Sequence, residues 1–204
     1  MTAEIDLLGI APRDRYKLLT AVVIPRPVAW VTTVSAAGLV NAAPYSFFNL
    51  FGKDPALVIL GLERNGAGLM KDTARNIRET GEFVVNIATP GLNEAMVATA
   101  AAYDPDTSEP AALGLAVAPS AQVAPPRLAD VPVAIECRHT VTLAFSAERD
   151  IVVGEAIGLA ARDGLVDLER MYVDWGGDFP VARLFADRYA RLEEIGRRPI
   201  PKLP

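Results

Sequence analysis

The feature that most constrains the fold is a strict alternation of side chains between residues 132 and 145. From Val133 to Phe145 the odd positions are Val, Ile, Cys, His, Val, Leu and Phe, and the even positions between them are Ala, Glu, Arg, Thr, Thr and Ala. A period of two places successive side chains on opposite faces of a β-strand. The segment therefore predicts a long strand whose odd face is buried.

Five further segments have the composition of strands. They are rich in β-branched and aromatic residues, or they are short continuous apolar runs of the buried type. Their predicted bounds are 28–34, 39–45, 56–62, 82–88 and 151–161. In the last segment, bulky residues such as Ile151 alternate with small ones such as Gly154 and Gly158. A face of small residues suits a tightly curved barrel wall.

Helices are fewer and lie between the strands. The predicted helices span 14–20, 72–80 and 92–102. In the second, Asp72 is a preferred N-cap residue and Gly81 stands where a left-handed terminal residue belongs. About six strands with inserted helices favour a mainly β, α+β fold built on an antiparallel barrel over a doubly wound sheet.

A glycine-rich run is the one feature that resembles a dinucleotide-binding fold. Gly66, Ala67 and Gly68 look like the start of a dinucleotide fingerprint, but Lys71 stands where the third glycine belongs. The surrounding chain also fails to alternate strand and helix, so a Rossmann fold is disfavoured.

Length and composition predict one domain. The 204 residues contain 51% hydrophobic and 22% charged residues, which is ordinary globular usage. No repeat or composition break divides residues 1–204, and the loosest stretch, 103–110, reads as a turn-rich excursion. A short helix is expected near the start, and the tail after Gly196, which holds Pro199, Pro201 and Pro204, should be extended.

Charge and cysteine content narrow the partners and the compartment. The net charge of −5 argues against nucleic acid as the main partner, although it leaves room for one local cationic pocket. Cys137 is the single cysteine, so no intrachain disulfide forms and a reducing compartment is expected. No apolar run approaches the roughly 20 residues of a membrane helix, and residues 1–9 do not resemble a signal peptide. We therefore expect a cytoplasmic protein without a membrane partner.

Several familiar catalytic motifs are missing from the sequence. One cysteine and one histidine, Cys137 and His139, cannot supply a zinc site, so no metal is expected. There is no phosphate-binding Gly-x-x-x-x-Gly-Lys-Ser/Thr loop and no Gly-x-Ser-x-Gly elbow. His139 stands on the odd face of the long strand, which predicts a structural role, and Cys137 on the same face is expected to be a core residue.

Two short segments carry polar groups suited to a ligand. Residues 71–76 (KDTARN) open a helix whose first N–H groups are unpaired and favour an anion, while Lys71, Thr73 and Arg75 add donors. A capped helix with a solvated first turn explains the same pattern. Residues 41–49 (NAAPYSFFN) combine aromatic rings with polar groups, as a flat polar heterocycle requires, but they also suit a strand end that leads into a turn.

Together these segments resemble a known family. Residues 26–34 (RPVAWVTTV) and 41–49 are similar to the opening of the flavin reductase-like, FMN-binding split barrels. That family includes flavoredoxin and the reductase components of two-component monooxygenases. Residues 71–77 with 81–86 (GEFVVN) resemble the family's next block, and residues 182–184 with 189–190 resemble its closing segment.

The resemblance implies a split β-barrel that works as a homodimer, with FMN, or FAD as an alternative, between the subunits. The implied flavin contacts are Thr32 and Thr33 beside the ring, Ser46, Phe47, Phe48 and Asn49 at the ring and ribityl chain, and Lys71, Thr73 and Asn76 at the phosphate. The implied activity is NAD(P)H-dependent reduction of FMN for a partner such as a flavin-dependent monooxygenase. The flavin carries the hydride, so no catalytic side chain is expected.

One departure from the family pattern keeps two alternatives open. Many NADH-using members carry Gly-Asp-His where this chain has Glu148, Arg149 and Asp150. The departure bears on the direct use of NAD(P)H and not on FMN binding. The alternatives are a flavoredoxin-like electron carrier and a non-enzymatic flavin-binding protein, both without their own NAD(P)H site.

Overall fold

The computed structural model describes residues 1–65 and 68–201, which leaves Gly66 and Ala67 of the glycine-rich run and Pro204 of the tail outside the described residues. The helices of the described chain are α1 Pro12–Val22, α2 Asp72–Thr80, α3 Asn93–Ala98 and α4 Glu109–Ala112, with a 3-10 turn at Pro90–Leu92.

The strands of these residues are β1 Arg26–Pro27, β2 Ala29–Val34, β3 Val40–Tyr45, β4 Phe48–Leu50, β5 Leu57–Glu63, β6 Glu82–Ile87, β7 Val117–Ala118, β8 Arg127–Leu128, β9 Val133–Ala144, β10 Arg149–Ala161, β11 Val166–Asp167, β12 Tyr172–Val173, β13 Ala182–Arg183 and β14 Tyr189–Ala190. Seven of them form one antiparallel sheet in the order β3-β2-β6-β9-β10-β5-β4. This sheet curls into half of a barrel. The smaller sheets are β1-β13-β14, β7-β8 and β11-β12.

The predicted fold class is confirmed. Each of the six predicted strands has a counterpart in the large sheet, namely β2, β3, β5, β6, β9 and β10. The turn between β2 and β3 has Gly38 at φ 83°, as expected for a hairpin glycine. β3 lies at one edge of the sheet and pairs only with β2, so the missing N–H of Pro44 costs no hydrogen bond to a second strand. The tail from residue 191 to 201 is irregular and exposed.

The helices differ from expectation in several details, since α1 is longer than the predicted 14–20 and α4 lies in a stretch predicted to be a turn-rich excursion. α2 has the predicted bounds, and Gly81 adopts φ 74° and donates its N–H to the Ile77 carbonyl. However, the predicted N-cap is wrong, because Lys71 occupies that position and Asp72, already helical, pairs with Arg75. The third predicted helix is shorter than 92–102, since α3 ends where the Thr99 hydroxyl bonds the Met96 carbonyl.

The predicted odd face of β9 is buried only in its first half. Cys137 is completely buried, but Val141 and Leu143 are each 41% exposed and Phe145 is 81% exposed. The reason is that β6 pairs with β9 only as far as Arg138, so the outer half of the β9–β10 hairpin runs beyond the core. The apolar pattern therefore continues onto a surface that nothing in the described chain covers.

The small residues of β10 do not share one face as predicted, because a β-bulge between Ala156 and Gly158 breaks the alternation. Ala156 packs against one core cluster, whereas Ala160 packs against the other together with Ile157. A Cβ atom on Gly154 would lie 2.6 Å from the ring of Phe83, which is fully buried. A Cβ atom on Gly158 would lie 3.2–3.3 Å from Gln122 and Glu136. Glycine at these positions lets the curled sheet pack closely against its core. None of the helices in residues 1–65 and 68–201 is long and apolar enough to span a membrane.

Candidate functional site

Three of the implied flavin contacts meet at one cavity of about 220 Å³. Ser46, Phe47 and Lys71 line it. Its other walls come from Tyr16 of α1, Val28, Pro44, Tyr45, Gly61, Glu63, Ala100, Arg149, Arg183 and Tyr189. The cavity is smaller than the roughly 300–1,000 Å³ of a typical ligand pocket, so a cofactor bound there would extend beyond it.

The Phe47 ring is held from several sides. The guanidinium of Arg149 lies 4.2 Å above the ring centroid, and Tyr16 meets it edge-on at 6.1 Å. Arg149 also pairs with Glu63 and donates to the Gly61 carbonyl at 3.4 Å. These contacts fix an aromatic surface and a cation at the mouth of the cavity.

Arg26 is a buried side chain that contacts the same wall of the cavity through Ser46. It is 7% exposed, and its guanidinium donates to the carbonyls of Thr20, Val23 and Leu184 at 2.5, 3.0 and 2.7 Å. Its Nε also reaches the Ser46 hydroxyl at 3.4 Å. One side chain therefore ties the end of α1 and the closing segment of the chain to the loop that carries Ser46.

The start of α2 places Lys71 on the cavity. Lys71 is the N-cap residue, in an extended conformation, so the first unpaired N–H groups of the helix follow it directly. An ammonium group beside helix-start amides is the donor set that a phosphate requires. The structure thus brings Lys71 next to Ser46 and Phe47 of the aromatic segment.

Thr33, Thr73 and Asn76 lie behind this surface in a buried network. Thr73 and Thr33 donate to the Oδ1 of Asn41 at 2.8 and 3.3 Å, and Asn76 Nδ2 donates to the Thr33 hydroxyl at 3.0 Å. Thr33, Thr73 and Asn76 are at most 2% exposed. Their side chains therefore clamp α2 to the β2–β3 hairpin. The Oδ1 of Asn76 is buried and has no hydrogen-bond partner within the described structure.

The remaining predicted contacts are dispersed. Thr32 is fully buried and donates to the Pro126 carbonyl at 2.6 Å. Phe48 packs against the core from β4, and Asn49 is exposed, with its Oδ1 accepting from the Leu50 N–H. The structure does not bring these three side chains to the cavity that Ser46, Phe47 and Lys71 line.

Two residues outside the predicted flavin contacts complete the network, and one of them, Asn41, opens the predicted ligand segment 41–49. Asn41 connects both threonines, and its Nδ2 donates to Glu109 Oε1 at 2.7 Å. Glu109, which opens α4, is 5% exposed and also accepts from the Ala42 N–H at 3.0 Å. Burial raises the pKa of Glu109. No sequence signal marks this contact, because Glu109 lies in the stretch 103–110 that reads as a turn-rich excursion.

Tyr45 adds a neutral polar group to the cavity wall. Burial raises its pKa to about 12. Tyr45 therefore stays protonated at neutral pH and presents a neutral hydroxyl at the cavity.

Two residues of the segment that replaces Gly-Asp-His have different environments. Arg149 lines the cavity. Asp150 is 1% exposed and bridges Arg64 and Arg78, each at 3.0 Å. A carboxylate held by two guanidinium groups serves the fold and is not free to meet a substrate.

His139 is half-buried, contrary to its predicted place on a buried face. Its Nε2 lies 2.8 Å from the Thr142 hydroxyl, and burial lowers its pKa. Because the unfolded chain binds the proton more readily than the folded one, stability should fall as the pH drops through about 6.5.

His139→Gln should remove this pH dependence of stability. The measurement is the melting temperature of both proteins from about pH 8 to about pH 5. His139 is the only histidine, so the difference between the two curves isolates its titration. A variant whose melting temperature follows the wild-type curve at every pH would refute the structural role.

Comparison with known proteins identifies the class. The chain matches the family model described as a flavin reductase like domain over residues 21–180. It is 36% identical to the uncharacterized protein YwrF of Bacillus subtilis, with 91% of this chain and 92% of that protein covered. A mainly β split barrel with this match defines a flavin-linked class of protein.

Two solved structures agree with this class. The 2-nitrobenzoate 2-nitroreductase NbaA of Pseudomonas fluorescens is 36% identical, with 99% and 98% of the two chains covered and a TM-score of 0.89. Component B of nitrilotriacetate monooxygenase from Bacillus cereus is 32% identical, with 97% and 99% covered and a TM-score of 0.90. The chain belongs to the flavin reductase-like family, and this membership supports a flavin-related oxidoreductase function.

Proposed function

We propose that the protein is an FMN-binding oxidoreductase that uses NAD(P)H to reduce FMN and passes the electrons to a partner. The observation that carries the proposal is the meeting of Lys71, at the start of α2, with Ser46 and Phe47 at one cavity. A cation and helix amides suit the phosphate of FMN, and an aromatic wall with a hydroxyl suits a flat heterocycle.

The chain's own groups at the cavity fit this cofactor in charge and in the polar and aromatic contacts that they offer. Lys71 and the amides of the first turn of α2 would hold the phosphate, and the network of Thr33, Thr73 and Asn76 would keep that turn in place. Ser46, Phe47, Phe48, Asn49 and Thr32 are proposed to lie along the remainder of FMN, with FAD as an alternative. The side chains of Thr32, Phe48 and Asn49 lie away from the cavity. A second subunit or a local rearrangement would have to bring them into contact with FMN.

Bound flavin would supply the hydride chemistry, and the protein would supply position and electrostatics. Tyr45, whose pKa is raised to about 12, stays neutral beside the site, and Asp150 is engaged by two arginines. No side chain is therefore assigned as a general acid or base.

A second cavity offers room for the other substrate. It has a volume of about 970 Å³ and shares Tyr16, Phe47, Glu63 and Arg149 with the first. A co-substrate bound there would approach a flavin in the first cavity across Phe47. At this junction Arg149 pairs with Glu63 and covers the Phe47 ring.

An electron carrier without its own NAD(P)H site is the second candidate. It is favoured by the replacement of Gly-Asp-His by Glu148, Arg149 and Asp150, because the buried Asp150 cannot take the place of a histidine beside a substrate. A non-enzymatic flavin-binding protein is favoured by the same observation. Component B of nitrilotriacetate monooxygenase, at 32% identity, supports a monooxygenase as one electron acceptor.

Steady-state oxidation of NADH and of NADPH with added FMN separates these candidates. A flavin reductase should oxidise at least one of the two nucleotides at a rate that rises with FMN and saturates. A protein that binds FMN but oxidises neither nucleotide would be a carrier or a binding protein, and the reductase proposal would fail.

A homodimer is expected with FMN bound. Val141 and Leu143 on the outer half of β9, with Phe145 just beyond its end, form an apolar strip that is exposed in one chain. The first cavity is also too small to enclose a flavin. Light scattering of the FMN-loaded protein should give twice the 21.8 kDa of one chain. A particle with the mass of one chain at micromolar concentration would contradict this expectation.

A further inference from the structure

A buried carboxylate, that of Glu109, is hydrogen-bonded to the network behind Lys71. Glu109 opens α4, while Asn41 and Ala42 lie on β3 at the open edge of the sheet. The carboxylate accepts from Asn41 Nδ2 at 2.7 Å and from the Ala42 N–H at 3.0 Å. Each of its oxygens thus faces a buried donor.

This contact decides which end of the Asn41 amide faces Thr73. An ionised carboxylate can only accept, so it holds the amide nitrogen of Asn41 on its own side. The amide oxygen is then turned toward the hydroxyls of Thr73 and Thr33, which donate to it at 2.8 and 3.3 Å. Since Thr73 lies in the first turn of α2, the orientation of one amide holds the helix start against the β2–β3 hairpin.

We propose that Glu109 is a positioning residue for the phosphate-binding turn of α2 and acts through Asn41 and Thr73. The inference rests on the proposed function, in which Lys71 and the helix amides bind the FMN phosphate. Glu109 does not line either cavity in the part of the chain that the structure describes. Its effect therefore falls on how well the phosphate is held and not on a direct contact with the cofactor.

Replacing the carboxylate with an amide of the same size isolates this role. In Glu109→Gln the side chain has one acceptor oxygen for two donors, so its own NH₂ group must face Asn41 or Ala42. The Asn41 amide relieves the conflict only by turning over, which removes the acceptor that Thr73 and Thr33 share. We expect FMN affinity to fall about tenfold and riboflavin affinity to change less than about twofold.

Glu136 provides a matched control. It is 2% exposed and accepts from two backbone N–H groups, those of Ala121 and Gln122, at 2.9 and 2.6 Å. Glu136→Gln should therefore disturb a buried carboxylate in the same way without touching the network. The ratio of FMN to riboflavin dissociation constants should stay at the wild-type value in this variant.

A reciprocal exchange should rescue the loss. With Asn41→Asp added to Glu109→Gln, the introduced glutamine amide donates from its NH₂ group to the new carboxylate, and its oxygen accepts from the Ala42 N–H. The other oxygen at position 41 still accepts from Thr73 and Thr33. The double variant should therefore recover the wild-type ratio to within about threefold, whereas Asn41→Asp alone sets two carboxylates against each other and should weaken FMN binding relative to riboflavin.

The readout is the dissociation constant for FMN and for riboflavin, measured by fluorescence quenching for each protein. If the wild-type protein prefers FMN and Glu109→Gln leaves the ratio of the two dissociation constants unchanged, the role of Glu109 is overturned and the phosphate site stands. A wild-type protein that binds both ligands equally would overturn the phosphate site itself and this inference with it. If Glu109→Gln does not fold, Asn41→Ala tests the same link, because it keeps the Glu109–Ala42 bond and should weaken FMN binding relative to riboflavin in the same way.

Discussion

Lys71→Ala should weaken FMN binding by about tenfold to a hundredfold while riboflavin binding barely changes. A charge-assisted hydrogen bond to a phosphate is about twice as strong as a neutral one, and its loss at a desolvated site costs about 1.5–3 kcal/mol. At about 1.4 kcal/mol per factor of ten, this gives the expected range. Riboflavin lacks the phosphate and should not sense the ammonium group.

Thr73→Ala should fall at the low end of the same range. Its hydroxyl is buried and donates to Asn41, so its removal acts on the position of the helix start and not on the phosphate directly. Titrating both ligands against the wild type and the two variants gives the six constants required. Equal losses for FMN and riboflavin would mean that the start of α2 is damaged or irrelevant, and the phosphate assignment would be abandoned.

Arg26→Ala should reduce the free energy of unfolding by about 3–5 kcal/mol. The hydrogen bonds that its guanidinium makes within the described chain all end on uncharged oxygens, three of them backbone carbonyls. Each buried acceptor left unsatisfied costs about 1–3 kcal/mol. The loss should separate the end of α1 and the closing segment from the loop that carries Ser46.

Urea denaturation of the wild type, Arg26→Ala and Arg138→Ala measures this effect. Arg138 is exposed on β9, and its replacement should change the free energy of unfolding by less than about 0.5 kcal/mol. A change of comparable size in the two variants would show that Arg26 does not hold these segments together.

The strands and α2 could be predicted because local pattern determines them. Gly81 ends α2 as expected, since only a residue that tolerates positive φ allows the helix to turn there. The alternating pattern of β9 also predicted a strand correctly, but the predicted burial of its whole odd face was wrong. Apolar alternation does not indicate which part of a strand the rest of the chain covers. Val141 and Phe145 extend past the end of β6, and that depends on the lengths of neighbouring strands.

The candidate site was predictable only in part for a similar reason. Lys71 belongs to a local helix-start pattern, and the cavity brings it beside Ser46 and Phe47. The contact between Glu109 and Asn41 joins residues 68 positions apart, and neither lies in a pattern that announces the other. Such long-range polar contacts follow from the packing of α4 against the edge of the sheet, which composition and periodicity do not encode.

Equilibrium titration of the purified protein with FMN tests the central proposal most directly. With flavin fluorescence as the signal, the account predicts saturable quenching with one FMN per chain and a weaker affinity for riboflavin. Fluorescence that does not change at any protein concentration, or the same affinity for both ligands, would contradict a phosphate-anchored flavin site at Lys71.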